Sequence, residues 1–409
     1  MTGPTLTLQD ITARVWPVVV VGAGVAGTAL SAALARRGLD VLLIERSRHP
    51  RPKTCGGCLN ARAQNSLGRL GMRRTLEGLA AQPLKRLRMV HTSGMDATVS
   101  LEHDAQHTLG ISRQSLDSGL LQAALDEGVS YIDQTRAVST RLLGEHRLIA
   151  LRSEDGHNAT ATAQMVIACD GLGSAMARCA GLAEEARPSA NDKVGASLLM
   201  SANAFAHLPE ETITMACGTL GYVGLARVEG GLWSLAAALR TRAISDAGGI
   251  LAAIRQTLAS CGIPAPLELW DRENTINPVT CPRMRRSVTR PSAERLLLVG
   301  DASGYVEPLT GEGMAWALAS AEEAVEHAQA AVANGWSERL ALSYDQAWQD
   351  RVKNRQAPIQ AIRRVLDSQP LTAAALASLK LAPGLGSAVA RSLVREDQNG
   401  AASPETQIA

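Results

Sequence analysis

An α/β fold with an inserted antiparallel-sheet domain and a helical C-terminal region is predicted by three observations. A short β-branched run over residues 17–21 leads through glycines into an Ala/Leu-rich helical stretch over residues 25–37, followed by a second apolar run at 41–44. That order and spacing make a β-α-β unit, the building block of a parallel sheet. From about residue 196 to residue 239 the chain changes to alternating polar and apolar runs, the signature of antiparallel strands. Beyond Gly335 the pattern is helical and amphipathic to about residue 394, before a Gly/Ser/Pro/Gln-containing tail.

Composition limits what such a chain can do. At 409 residues with 46% hydrophobic and 20% charged side chains, it can bury the core of a globular protein of more than one domain. Its 41 basic and 39 acidic residues leave a formal charge of +2, too little to attract nucleic acid or an anionic membrane, so small molecules are the expected partners. Seven cysteines, an odd number, and a first stretch without an apolar core predict a reducing, cytoplasmic setting. No run of apolar residues is long enough to predict a membrane span. With one Phe, four Tyr and six Trp, aliphatic side chains must build the core.

The first strand ends at Gly22, and Gly22, Gly24 and Gly27 form G-x-G-x-x-G at the strand-to-helix junction. Each glycine meets a separate demand: a tight turn at Gly22, close backbone approach to a diphosphate at Gly24, and helix–strand packing at Gly27. A diphosphate would rest on the helix N-terminus at Val25 and Ala26, where free N–H groups and the helix dipole favour an anion. Glu45, followed by Arg46, closes the next strand and would accept hydrogen bonds from a ribose diol. A carboxylate there opposes a 2′-phosphate, so NADP is not expected in this site. The fingerprint alone does not separate FAD from NAD.

Two later segments bear on that choice. ACDGLGSAMAR places Asp170, Gly171, Ser174 and Arg178 after a predicted strand. LLLVGDASGYVEPLTGEGMAWAL ends a strand at Gly300-Asp301, passes Pro308, and enters a long helix after Gly311 and Gly313. With the fingerprint, these resemble the DG and GD motifs of the flavoprotein hydroxylase superfamily, which also contains geranylgeranyl-reductase-like enzymes and flavin-dependent halogenases. The resemblance runs over residues 17–330, with the motifs in the family's order. It implies FAD as cofactor, with Asp301 on a ribityl hydroxyl. It also implies that the backbone of Gly311, Glu312, Gly313 and Met314 lies near the pyrimidine end of the isoalloxazine, where free N–H groups would stabilise negative charge on the reduced ring. Arg113 and Asp117 match the family's Arg-x-x-x-Asp, which makes Arg113 a candidate FAD contact. Val138 matches a strand position whose backbone meets the adenine, and Asp170 and Gly171 match the DG pair.

The resemblance also implies a discontinuous FAD-binding domain from residues 1–80, 105–190 and 290–335. A substrate domain would comprise 81–104 and 191–289, a helical region 336–396, and a flexible tail 397–409.

Lys53, Cys55, Gly56 and Gly57 resemble the K-x-C-G-G loop that lies over the flavin in geranylgeranyl-reductase-like proteins, and glycines there would let backbone pass close to the ring. Cys58 goes beyond that pattern and creates a C-x-x-C. Zinc would need further ligands, and no second C-x-x-C or spaced His pair is present, so no metal is expected. The pair is then either redox-active or a set of small residues lining a tight loop.

Two reactions use this architecture: NAD(P)H-dependent hydroxylation with O₂, and hydride transfer to an unsaturated bond as in prenyl-chain saturation. Gly304 stands where hydroxylases of the family often carry His, and the Cys-Gly-Gly loop favours reduction. Against this, hydroxylases dominate the superfamily and no prenyl-reductase signature is visible in the middle domain. The balance at this level favours a monooxygenase, with a reductase as the alternative. Halogenation lacks its W-x-W-x-I-P motif, and a flavin-binding protein without turnover is the remaining alternative. No catalytic acid or base is assigned, although Glu307 and Glu312 stand where proton transfer would be needed. An apolar substrate, polyketide or isoprenoid, is expected against Leu198, Met200, Val223, Leu225 and Leu235. The C-terminal helices would cover that pocket or form a dimer contact, and the oligomeric state is open.

Overall fold

The computed structural model describes residues 3–102, 107–184, 192–266, 269, 278–281, 284–306, 311–382, 384 and 386. Glu307, Pro308 and the tail from residue 397 lie outside the described residues.

The strand Val15–Val21 is the centre of the first sheet, parallel to Val41–Ile44 on one side and Asn158–Ala168 on the other. Ser130–Ile132 and Leu296–Leu298 extend the parallel order outward, and the hairpin Thr135–Leu143/His146–Ser153 continues from Asn158–Ala168. Val18, Val19 and Val20 are fully buried because both faces of the sheet are covered, which is why this strand reads as an unbroken apolar run. The helix Val25–Arg36 buries every residue from Val25 to Leu34. It packs on the helices Arg113–Asp126 and Glu312–Asn334, so the N-terminal ends of all three approach one side of the sheet.

The second sheet has the order Val279–Cys281, Lys193–Met200, Trp233–Arg240, Gly221–Arg227, Thr212–Gly218, Arg86–His91, Asp96–Ser100. Its pairs are antiparallel except one: Thr212–Gly218 runs parallel to Arg86–His91. A small third sheet joins Cys58–Leu59, Thr108–Gly110 and Gln82–Leu84. Beyond the helix Glu312–Asn334 come helices Glu338–Trp348, Asn354–Leu366 and Gln369–Leu381, the last packing on the edge hairpin Arg86–His91/Asp96–Ser100.

Candidate cofactor site

A cavity of about 1820 Å³ runs from the C-terminal ends of the parallel strands to the second sheet and on to the C-terminal helices. Small-molecule pockets usually enclose roughly 300–1,000 Å³, so this one has room for a dinucleotide and a second molecule.

Where the cavity meets the first strand and helix, the glycines are dictated by contact. Gly22 has φ +106°, and a Cβ there would stand 2.4 Å from the Cys169 carbonyl oxygen. A Cβ on Gly27 would stand 2.1 Å from the Gly22 carbonyl oxygen, so helix and strand meet only without a side chain. Gly24 faces the cavity, and around its Cβ position converge Arg113 Nη2 at 3.7 Å, Arg51 Nη2 at 3.8 Å and Lys53 Nζ at 4.0 Å. Three cations beside the free N–H groups of a helix start make an anion site suited to a diphosphate.

Arg113 is buried and grips Asp117 through a two-point fork, Nε to Oδ1 and Nη2 to Oδ2, both at 2.7 Å. Burial pulls the Arg113 pKa down, but the Asp117 carboxylate outweighs it and holds the pKa above its ordinary value. Glu45 is 4% exposed. Its Oε2 accepts from the Ala23 N–H at 2.9 Å and from Arg51 at 3.2 Å, and its Oε1 accepts from the Ser47 N–H at 3.1 Å. A carboxylate has about four acceptor sites, so one remains for a ribose hydroxyl.

Asp301 lies in the tight turn Gly300–Ser303 and is approached by Lys53 Nζ at 3.6 Å. Asp170 spends one oxygen as a cap, Oδ2 accepting from the N–H groups of Ala175 at 2.8 Å and Met176 at 3.2 Å. Its Oδ1 is buried with no hydrogen-bond partner among the described residues, and burial pushes its pKa up. Asp170 and Gly171 both border the cavity.

Gly311, with φ +74°, caps the helix Glu312–Asn334. Glu312 is buried and accepts from Asn60 Nδ2 at 2.7 Å and Arg62 Nη1 at 3.0 Å. Burial raises its pKa to about 7 against the opposing pull of Arg62 and Arg355. Gly313 and Met314 line the cavity beside it.

The Cys-Gly-Gly loop lies between this helix start and the second sheet. The Cβ position of Gly311 is 3.4 Å from the Cys58 carbonyl oxygen, and that of Gly56 is 3.8 Å from Ala236 Cβ. Gly57 has φ +71°, and a Cβ there would be 3.0 Å from the Ile111 carbonyl oxygen. The Cys58 thiol donates to the Gly56 carbonyl at 3.5 Å, and burial together with Cys55 pushes its pKa up to about 12. Cys58 is therefore a thiol rather than a reactive thiolate, which supports the packing role over the redox one. Among the described residues, no group of three or more His, Cys, Asp or Glu side chains is placed to hold a metal ion.

The fingerprint residues Gly22 and Gly24 to Gly27, with Glu45, Arg46, Cys55, Gly56, Arg113, Asp170, Gly171, Asp301 and Gly311 to Met314, all border this one cavity. Val138 does not. The wall there is made by Thr135, Arg136 and Ala137, and the Val138 carbonyl faces Cys179. A second correction concerns the expected substrate pocket. Leu198, Met200, Val223 and Leu235 are buried in the core between the second sheet and the helix Ile250–Ser260, against Ala253, Ile254 and Leu258, and do not border the cavity. Leu225 belongs to the same core but also reaches the cavity wall. Alternation at period two identifies two faces without saying which one a helix covers. The cavity face carries Tyr222, Gly224, Ala236 and Ala238 instead. Arg51 and Arg286, both on the cavity wall, are site residues that sequence reasoning missed. Arg51 stands beside the recognised Lys53 in R-x-K, a signal too short to single it out.

Comparison with known proteins agrees with this geometry. Residues 16–218 match the family model described as FAD binding domain. The menaquinone reductase of Mycolicibacterium smegmatis is 30% identical, over 76% of this chain and 75% of that protein. Digeranylgeranylglycerophospholipid reductase 2 of Methanothermobacter thermautotrophicus is 28% identical, over 86% of this chain and 88% of its own. Among solved structures, p-nitrophenol 4-monooxygenase PnpA from Pseudomonas putida DLL-E4 superposes with a TM-score of 0.76 at 17% identity, covering 93% of this chain and 96% of its own. The chain belongs to the FAD-dependent oxidoreductase superfamily of flavoprotein hydroxylases and geranylgeranyl-reductase-like enzymes.

Proposed function

We propose that this protein is an FAD-dependent reductase that saturates a carbon–carbon double bond in an apolar, isoprenoid-type substrate, with NAD(P)H as the electron donor. The observation that carries this reading is the position of the Cys55-Gly56-Gly57 loop, which touches the helix start at Gly311 on one side and the second sheet at Ala236 on the other. A loop so placed separates the expected flavin position from the substrate wall, where it can shape access to the ring. The relatives that match most of the chain, 76% and 86% of it, carry reductase names, whereas a squalene epoxidase of Arabidopsis thaliana matches 39%. These names support the reductase reading over the hydroxylase one.

Bound FAD would supply the hydride chemistry itself. The protein's residues do the rest. Arg51, Lys53 and Arg113 would offset the charge of the diphosphate at Gly24, Glu45 would orient the adenosine ribose, and Asp301 would hold the ribityl chain. The N–H groups following Gly311, at the start of the helix Glu312–Asn334, would offset negative charge on the pyrimidine end of bound flavin. Tyr222, Ala236 and Ala238 present a mainly apolar wall that excludes water from the acceptor bond. Glu312, with a pKa near neutrality, is the group beside the helix start that can hold a proton.

The test is anaerobic turnover of the FAD-loaded protein with NADH or NADPH and a polyprenyl quinone or geranylgeranyl lipid, followed by mass spectrometry. Without O₂, the expected product carries two additional hydrogens in its prenyl chain, retained after any quinol formed has been reoxidised to the quinone. Product carrying an added oxygen, formed only in air, would establish the hydroxylase alternative in its place.

A further inference from the structure

Arg286 joins two loops that the sequence motifs assign separately to the cofactor. Its Nη1 donates to the Leu172 carbonyl at 2.6 Å, in the loop that follows Asp170-Gly171. Its Nε donates to the Ala302 carbonyl at 3.0 Å, next to Asp301. Its backbone is paired in both directions with Tyr305, N–H to carbonyl at 3.0 Å and 2.9 Å, so the residue is anchored at main chain and side chain alike. The third end of the guanidinium, Nη2, is buried and has no hydrogen-bond partner among the described residues. Arg286 also borders the cavity.

A buried charged donor without a partner is costly, because desolvation of that N–H goes uncompensated. Burial presses the Arg286 pKa below its usual value, while the Asp170 and Asp301 carboxylates act the other way and Arg178 adds to the burial effect. The group is thus a cation set among the two carboxylates of the DG and GD motifs, with two of its donors used to hold their loops and one left over. The buried Asp170 Oδ1 is an unused acceptor in the same neighbourhood.

We propose that Arg286 is a positioning residue for the cofactor: by clamping the Leu172 and Ala302 loops it sets Asp170 and Asp301 of the DG and GD motifs against the flavin-side half of bound FAD. A planar guanidinium can bridge the two carbonyls at once through Nε and Nη1, whereas a lysine ammonium in its place can serve one of them well. The adenosine half would rest on Gly24 and Glu45, neither of which Arg286 hydrogen-bonds.

The experiment compares Arg286→Met and Arg286→Lys with wild type. FAD and ADP, the half-molecule recognised at Gly24, are titrated into the flavin-stripped full-length proteins by calorimetry. A lost hydrogen bond from a charged donor is worth roughly tenfold or more in affinity, so Arg286→Met should weaken FAD at least about tenfold while ADP changes by less than about twofold. Arg286→Lys should not recover the FAD affinity. Wild-type FAD affinity in either variant would overturn the proposal. So would parallel losses of FAD and ADP, which mark general collapse of the loops. If Arg286→Met does not fold, the lysine variant, which keeps charge and bulk, decides by the same two ratios.

Discussion

Glu312 and Asp117 show how single buried charges are held in place, and each yields a prediction. The unfolded chain gives up the Glu312 proton near pH 4.5, whereas the folded chain keeps it to about pH 7. Between those values the folded state binds more protons, so the stability contributed here is complete below pH 4.5 and declines as pH rises through 7. At roughly 1.4 kcal/mol per pKa unit, the decline is at most about 3 kcal/mol. Glu312→Gln, which stays neutral, should therefore gain stability relative to wild type by up to that amount between acidic and mildly alkaline urea melts. A constant difference across pH would contradict the assignment. Asp117→Asn leaves the buried Arg113 guanidinium without its counter-charge, and should cost about 3–5 kcal/mol in the same assay. Of these residues, Arg113 and Asp117 were legible from their spacing in a recognised motif. Arg286 was not, because a lone arginine next to another in PRMRRS carries no signal until folding sets it between two distant loops.

At the scale of elements, the glycine turn and its helix were the most legible part of the chain, because sterics permit few other residues there. Gly27→Ala places a methyl 2.1 Å from the Gly22 carbonyl oxygen and 3.0 Å from Cys169 Cβ, neither of which can retreat without moving strand or helix. The substitution should abolish FAD retention through purification and lower the thermal midpoint. An alanine variant that stays yellow at the wild-type midpoint would refute this packing. The second sheet was legible as a sheet and illegible in its orientation. Its strands alternate correctly, but the helix Ile250–Ser260 covers the face bearing Leu198, Met200, Val223 and Leu235, leaving Tyr222, Gly224, Ala236 and Ala238 on the cavity side. Bulk alone suggested the reverse, since large apolar residues look like pocket walls until a helix is found to claim them. The Val138 expectation missed by a smaller margin, with the wall supplied by the residues immediately before it.

Across the whole molecule, the cavity is completed by segments far apart in sequence, including Val365, Leu366 and Leu379 of the C-terminal helices. Those helices are tied to the second sheet by the buried Lys193, whose Nζ lies 2.8 Å from Asp367 Oδ1, and by Arg240, which donates to the Asp367 carbonyl at 2.8 Å. Lys193→Met should loosen this attachment, seen as faster limited proteolysis near residue 367 with FAD affinity unchanged. Equal cleavage rates would show that apolar packing alone holds the helices. Such long-range closure has no local sequence pattern, which is why the cover could be expected only as one of two roles. The account as a whole rests on one dinucleotide bridging the first glycine turn and Asp301. Its most direct test is equilibrium titration of FAD into flavin-stripped wild type and Asp301→Ala, read by flavin fluorescence quenching. The structure predicts one FAD per chain in the wild type and an affinity at least about tenfold weaker in the variant. A wild type that takes up no FAD, or an Asp301→Ala protein that binds it equally well, would contradict it.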